Sequence, residues 1–254
     1  MQKKEIVLTL GFLAEKDACD RGIEEFKKWY PSGSAPLSEV LRKLQKLANT
    51  STKYLKYVDY ARWLILRFPP TQEPLVLNKL TGKFLFWNGD INIKSGIDGE
   101  RFIIGNGNVN IKGNGNLNGR TRIWARKEVK AINIAAKFYA EILAGTIDAQ
   151  NITAYDHSGI HAKTIDAENI AAKDFAGIFA GTIDAENIAA KDFAVIRAWE
   201  TMDAVNIAAS DHSGIGADEI NTQNIIDDSY DGIHGKINLI NPPQTNPQNT
   251  NTAS

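Results

Sequence analysis

Apolar residues recur on a fixed register in the second half of the chain. Val129, Ile147, Ile165, Ile183, Met202 and Ile220 follow one another at steps of 18, 18, 18, 19 and 18 residues. One unit, residues 165–182, divides into Ile-Asp-Ala-Glu-Asn, Ile-Ala-Ala-Lys-Asp, Phe-Ala-Gly and Ile-Phe-Ala-Gly-Thr. Three of these four pieces are Ile-x-Ala-x-polar. Alternate side chains of an extended segment point to opposite faces, so Ile and Ala of each piece share one face and the residue between them takes the other. A repeat of this length built from short strands is one coil of a solenoid, which buries its apolar side only by stacking on its neighbours. The pattern predicts a three-sided parallel β-helix over residues 129–240, with 18-residue coils and a corner insert in each.

Stacking turns the period into columns. Isoleucine recurs at 152, 170, 188, 207 and 225, and again at 142, 160, 178, 196, 215 and 233; asparagine recurs at 133, 151, 169, 187, 206 and 224. Identical amides about 4.8 Å apart hydrogen-bond up and down a stack, and each buried Ile contributes ~1.5–3 kcal/mol. The asparagines are therefore expected to form an internal ladder. A further column runs Tyr139, His157, Phe175, Phe193, His212 and Tyr230, which sets ring upon ring. The extra residue of the 19-residue step falls at a corner, around Trp199.

Upstream the periodicity is different. Residues 1–80 read as helices: an apolar run over 6–14; a segment over 17–30 that Asp17 caps and Pro31 stops; a third from Pro36 or Leu37 to Leu47, with Val40, Leu41, Leu44 and Leu47 at helical spacing; and a fourth over 54–68, ended by Pro69-Pro70. So small a bundle is marginal alone and is expected to dock on the strands after residue 80, capping the first coil. Its aromatics read as core rather than as a cofactor box. Residues 81–128 alternate strand-like runs with Asn-Gly corners and predict irregular coils. Residues 241–254 lack charge and large apolar groups apart from prolines, the composition of a disordered polar tail. The fold class is α+β, a helical cap on a β-solenoid.

Charge and cysteine content narrow the picture. Cys19 is the single cysteine, which excludes an intramolecular disulfide framework and a four-cysteine zinc site and suits a reducing cytoplasm. Lys3 and Lys4 before an apolar run resemble a signal peptide, but Glu5, Glu15 and Asp17 interrupt the pattern and no small-x-small site closes it before Cys19. No segment reaches the ~20 apolar residues of a membrane span. A cytoplasmic protein without a membrane partner is expected. The net charge of −1 is a cancellation: residues 1–130 carry 23 Lys and Arg against 13 Asp and Glu, and residues 131–254 carry 6 against 17. The chain as a whole is no basic nucleic-acid binder, yet its basic half leaves such a contact open, and the charge asymmetry could steer self-association through a solenoid end.

Two constellations could carry chemistry. Asp-His-Ser occurs at Asp156-His157-Ser158 and at Asp211-His212-Ser213. Adjacent residues of an extended segment point apart, so neither copy can align a nucleophile with its base, and three coils, about 14 Å, separate the two histidines. They read as members of the ring column. The second constellation is acidic: Asp148, Asp166, Asp184 and Asp203 form an outward column beside Glu168 and Glu186. Stacked like charges repel unless solvent, a basic partner or a cation such as calcium relieves them. Phe179 and Trp199 are the outward aromatics suited to an interface. These eight residues make up the candidate binding face. No catalytic residue, metal ligand or cofactor is assigned.

Asn169-Ile170 and Asp174-Phe175, an Asx-apolar pair every five residues, resemble pentapeptide-repeat proteins, which form four-sided right-handed β-helices. The three-sided coil of eighteen is similar to bactofilins and other right-handed solenoids. Its apolar steps of five, eight and five set it apart from left-handed hexapeptide acyltransferases. The resemblance covers residues 85–240 and implies right-handed coiling. Fold alone does not assign a function. The expected function is that of a non-enzymatic binding or scaffold module of bacterial or phage origin, with an unidentified protein partner. The pentapeptide resemblance implies as an alternative the mimicry of duplex DNA toward a topoisomerase-like enzyme. A carbohydrate-active β-helix enzyme is the alternative of another class.

Overall fold

The structure, a computed structural model, describes residues 6–240. The tail expected over 241–254 lies outside the described residues. The chain begins with β1 (Val7–Thr9), α1 (Leu10–Glu15), α2 (Asp20–Trp29), β2 (Ser34–Pro36), α3 (Leu37–Thr50) and α4 (Tyr54–Arg67). The apolar run over 6–14 is thus not one helix. β1 pairs antiparallel with β2, and Thr9 ends the strand by capping α1, its hydroxyl accepting from the Phe12 amide at 3.1 Å. Nor does Asp17 cap α2. It takes a left-handed conformation (φ 57°) in the link after α1, a region Asp tolerates, and Cys19 occupies the cap position of α2.

The helices bury Leu13, Phe26, Leu44, Ile65 and their neighbours in one cluster with Phe84, Phe86, Phe102 and Ile104 of the solenoid strands. Leu85 and Ile103, the intervening residues, face the solenoid interior instead. The helical domain therefore packs on the outside of one side of the first coils. The Tyr54 ring lies 5.3 Å from Phe84 and 5.5 Å from Phe102, and the Arg62 guanidinium sits 3.2 Å over the Trp124 ring. Gln45 of α3 accepts from the Phe86 amide at 3.1 Å. This contact caps a strand edge that would otherwise present a bare donor.

The solenoid has three sides. On the first, Leu85, Ile103, Ile123, Ile142, Ile160, Ile178, Ile196, Ile215 and Ile233 are successive parallel partners, one per coil. The irregular coils thus share the register of the regular ones, with early steps of 18, 20 and 19 residues. The second side carries Ile91, Val109, Val129, Ile147, Ile165, Ile183, Met202, Ile220 and Ile237; the third carries Ile134, Ile152, Ile170, Ile188, Ile207 and Ile225. With few exceptions toward the C-terminal end these side chains are fully buried in a single core. Trp199 and Glu200 bulge between strands Val195–Ala198 and Thr201–Asp211 at the expected corner, yet their amides still reach Ala180 O and Gly181 O at 2.9 Å.

One strand precedes the boundary expected at residue 80. β3 (Thr71–Leu77) pairs in parallel with Gly89–Ile93 and opens the second side. Pro74 is accommodated because this strand is the outermost of that side. At the other end, Gly232–Leu239 pairs, among the described residues, with the preceding coil, and Leu239 and Ile240 are exposed. No helix among the described residues is long and apolar enough to cross a membrane.

Candidate binding faces

Five successive coils close through a four-residue turn, over residues 137–140, 155–158, 173–176, 191–194 and 210–213, and these turns build a regular surface. Asp174 (φ 55°) and Phe175 (φ 64°) are both left-handed, and the Ala176 amide returns to Lys173 O at 3.3 Å. Two consecutive positive φ values define a type I′ turn, whose usual sequence is Asn-Gly. The same geometry recurs at Phe138-Tyr139, Asp156-His157 and Asp192-Phe193. Left-handed backbone costs a residue with a Cβ roughly 1–2 kcal/mol. Stacking offsets that cost, because the turns also bond to one another: the amides of Tyr139, His157 and Phe175 donate to Asp156 O, Asp174 O and Asp192 O at 3.1–3.2 Å.

At four successive turns the second left-handed residue, Tyr139, His157, Phe175 or Phe193, points outward, and His212 and Tyr230 continue the line without a positive φ. Tyr139, His157, Phe175, Phe193, His212 and Tyr230 form one stack with successive centroids 5.3, 5.1, 4.8, 4.6 and 5.6 Å apart. Phe175 and Phe193 lie within 4° of parallel. The rings are solvent-facing: Tyr139 is 63%, Phe175 55% and Phe193 48% exposed. Lys173 flanks them near Asp174 and Asp192, and Lys191 near Asp211, at 3.8–4.0 Å. The stack itself is legible in the sequence. Its exposure is not, and the candidate face read from the sequence omits these six rings.

The structure also resolves the Asp-His-Ser copies. Ser158 and Ser213 are buried beneath their turns, donating to Ala136 O and Ala190 O at 3.0 and 2.9 Å and accepting from the amides of Tyr155 and Ser210. His157 and His212 point out into the ring stack. Serine and histidine of each copy therefore face opposite ways.

The asparagine column is a continuous amide ladder. Each Nδ2 donates to the Oδ1 one coil back at 2.6–2.8 Å, through Asn133, Asn151, Asn169, Asn187, Asn206 and Asn224, and the ladder reaches back to Asn114 in the irregular coils. It stands at a corner, half-buried in the middle and exposed at Asn206 and Asn224, rather than inside the coil.

Asp148, Asp166, Asp184 and Asp203 stand in register on the outward face of the second side, where Asp148, Asp166 and Asp184 line a shallow groove of about 410 Å³ with Glu168 and Glu186. Both ends of the column are closed. Lys130 pairs with Asp148, and Asn221 donates to Asp203 at 2.7 Å. The middle is unrelieved: partial burial, then Asp166 and Asp203, push the Asp184 carboxyl above the usual carboxylate range. Among the described residues no three His, Cys, Asp or Glu side chains are grouped to hold a metal ion. Phe179 and Trp199 are not part of this groove. Phe179 is half-buried on the first side, stacked between His161 (5.1 Å) and Trp199 (6.3 Å), and Arg197 lies 4.8 Å from the exposed Trp199 ring. The eight candidate residues thus fall on two separate surfaces.

Comparison of the chain with protein-family models, with curated proteins and with solved structures returns no match.

Proposed function

We propose that the protein is a non-catalytic binding module, a rigid solenoid that presents a regular lattice of side chains to a protein partner, with the aromatic corner as its main recognition surface. The observation that carries this reading is the exposure of six rings held in register along one edge. A continuous exposed aromatic strip marks an interaction site, and aromatic rings dominate the energetics of such sites. Here each ring is already restrained by its turn and its neighbours, so binding would cost little further side-chain entropy. The acidic groove adds selectivity for a basic partner and faster encounter. It is the secondary surface because Lys130 and Asn221 close it after four coils. Its carboxylates, at most an Asp and a Glu per coil of ~4.8 Å, are sparser than the one charge per ~1.7 Å of duplex DNA, which favours a protein contact over DNA mimicry. The exposed thiol of Cys19 fits a reducing compartment such as the cytoplasm.

The test is affinity capture from a lysate of the source organism with the wild type and with a Tyr139→Ser, Phe175→Ser, Phe193→Ser variant whose circular dichroism spectrum is unchanged. A protein retained by the wild type and lost by the variant supports the reading. Identical retained sets overturn it.

A further inference from the structure

A trough of about 540 Å³ opens where the helical domain meets the solenoid. Arg67, Pro69 and Pro70 form one wall, and Asn106, Arg126 and Lys127 the other. Its charged lining residues are all cations. Neighbouring cations of the same coils are neutralised, Arg122 by Glu141 at 3.0 Å and Lys130 by Asp148. Arg67, Arg126 and Lys127 have no ion-pair partner among the described residues.

Both guanidiniums are positioned by the protein. Asn106 is completely buried, and its Nδ2 donates to Phe68 O just beyond α4 and to Asn88 Oδ1, both at 2.7 Å. Its Oδ1 accepts from Arg126 Nη1 at 3.1 Å. One buried amide therefore ties the end of the helical domain to the solenoid and aims an arginine at the trough. On the opposite wall the Arg67 guanidinium lies 5.1 Å from the Trp63 ring. Cations fixed in this way lose little conformational entropy when they bind a ligand. Prolines at 69 and 70 contribute no backbone donor, which leaves the charged side chains to set the chemistry.

We propose that this trough binds a small molecule carrying a phosphate or diphosphate group. Guanidinium forks match the paired oxygens of phosphate, and lysine adds a point charge. The volume lies within the roughly 300–1,000 Å³ of small-ligand sites, and a junction between domains is where such sites concentrate. Three cations converging at one place suit a compact oxyanion, whereas a nucleic-acid strand needs a basic groove that tracks its backbone. The site is separate from the aromatic corner and independent of its role.

The experiment is titration of the full chain with inorganic pyrophosphate at low ionic strength, read by calorimetry and by the thermal midpoint. The wild type is expected to bind saturably and to gain thermal stability. Arg126→Gln and Lys127→Gln are each expected to weaken binding by about tenfold or more, since each removes a charge-assisted contact, and Arg122→Gln to leave it unchanged. The Lys127 ammonium has no ion-pair partner among the described residues, so its variant keeps the test valid if Arg126→Gln disturbs the fold. Absence of binding by the wild type at millimolar pyrophosphate, or equal affinity in wild type and Lys127→Gln, would overturn the proposal. An eight-nucleotide single strand of DNA that binds more tightly than pyrophosphate would overturn the small-ligand assignment.

Discussion

Two substitutions at Phe175 separate the forces that act on the aromatic corner. Phe175 is left-handed at φ 64° and touches His157 and Phe193 at centroid distances of 5.1 and 4.8 Å. Each ring contact is worth ~0.5–1.5 kcal/mol beyond area burial. Phe175→Ala removes both contacts and keeps the backbone strain, so it is expected to destabilise the protein by about 1–3 kcal/mol. Phe175→Gly removes the same contacts but releases roughly 1–2 kcal/mol of strain, at a cost of ~0.5–1 kcal/mol for the freer unfolded chain. The net is about 0–1.5 kcal/mol, centred at ~0.75 kcal/mol, so the glycine variant should lie above the alanine variant and below the wild type. Urea unfolding followed by far-ultraviolet circular dichroism measures the order, provided the m-values agree. Ala171 lies in extended backbone in Gly159–Ala172, so Ala171→Gly should destabilise and serves as the internal control. An alanine variant more stable than the glycine variant would falsify the left-handed turn, and a wild type no more stable than either would remove the energetic role of the stack.

Other consequences concern the ladder, the acidic column and the docking of the helices. Asn169→Ala breaks two amide bonds of 2.8 Å, leaving Asn151 Oδ1 and Asn187 Nδ2 without these partners; a loss of ~1–3 kcal/mol in urea unfolding is expected, and no loss would mean that solvent replaces the ladder. The raised Asp184 carboxyl means that the folded state holds this proton more tightly than the unfolded chain, so the column carries a penalty at neutral pH that is relieved as pH falls through the raised value. Asp184→Asn should accordingly raise Tm at pH 7, and the gain should vanish under acid conditions where the native carboxyl is protonated; an equal gain at both pH values would contradict the assignment. Gln45→Ala strips the cap from the Phe86 amide and should speed its hydrogen exchange while costing ~1–2 kcal/mol; unchanged exchange would show that another group covers that edge.

Much of the solenoid is legible in the sequence because its columns are made of few residue types. The Ile-x-Ala pieces place the core, and Asn at a constant offset places the ladder, since identical partners one coil apart need no long-range information. The corner is a different matter. A type I′ turn is ordinarily signalled by Asn-Gly, and Asp174-Phe175 conceals it; the left-handed phenylalanine is tolerated through bonds to the adjacent coils. β3 is hidden by Pro69, Pro70 and Pro74, and β1 by the apolar run it shares with α1, because a three-residue strand is defined by its partner β2 rather than by its own pattern. One signal could have located the docked helices. Phe84-Leu85-Phe86 is apolar on both faces of a strand, the mark of burial on both sides, and the structure covers the outer face with Tyr54 and α3. The Asn106 clamp joins groups that are 38 residues apart, and no local pattern announces it.

The faces, the ladder and the corner all depend on one register, in which residue 171 sits beside residue 189. Parallel neighbours about 4.8 Å apart fall within the ~4.4–6.8 Å Cα separation that a disulfide requires. In a Cys19→Ser background, Ala171→Cys with Ala189→Cys should therefore form an intramolecular disulfide under mild oxidation, seen by mass spectrometry as loss of both alkylatable thiols. Ala171→Cys with Ala190→Cys should remain reduced, because Ala190 faces the buried core. Failure of the first pair to close, or equal closure of both, would contradict the eighteen-residue coil and every surface built on it.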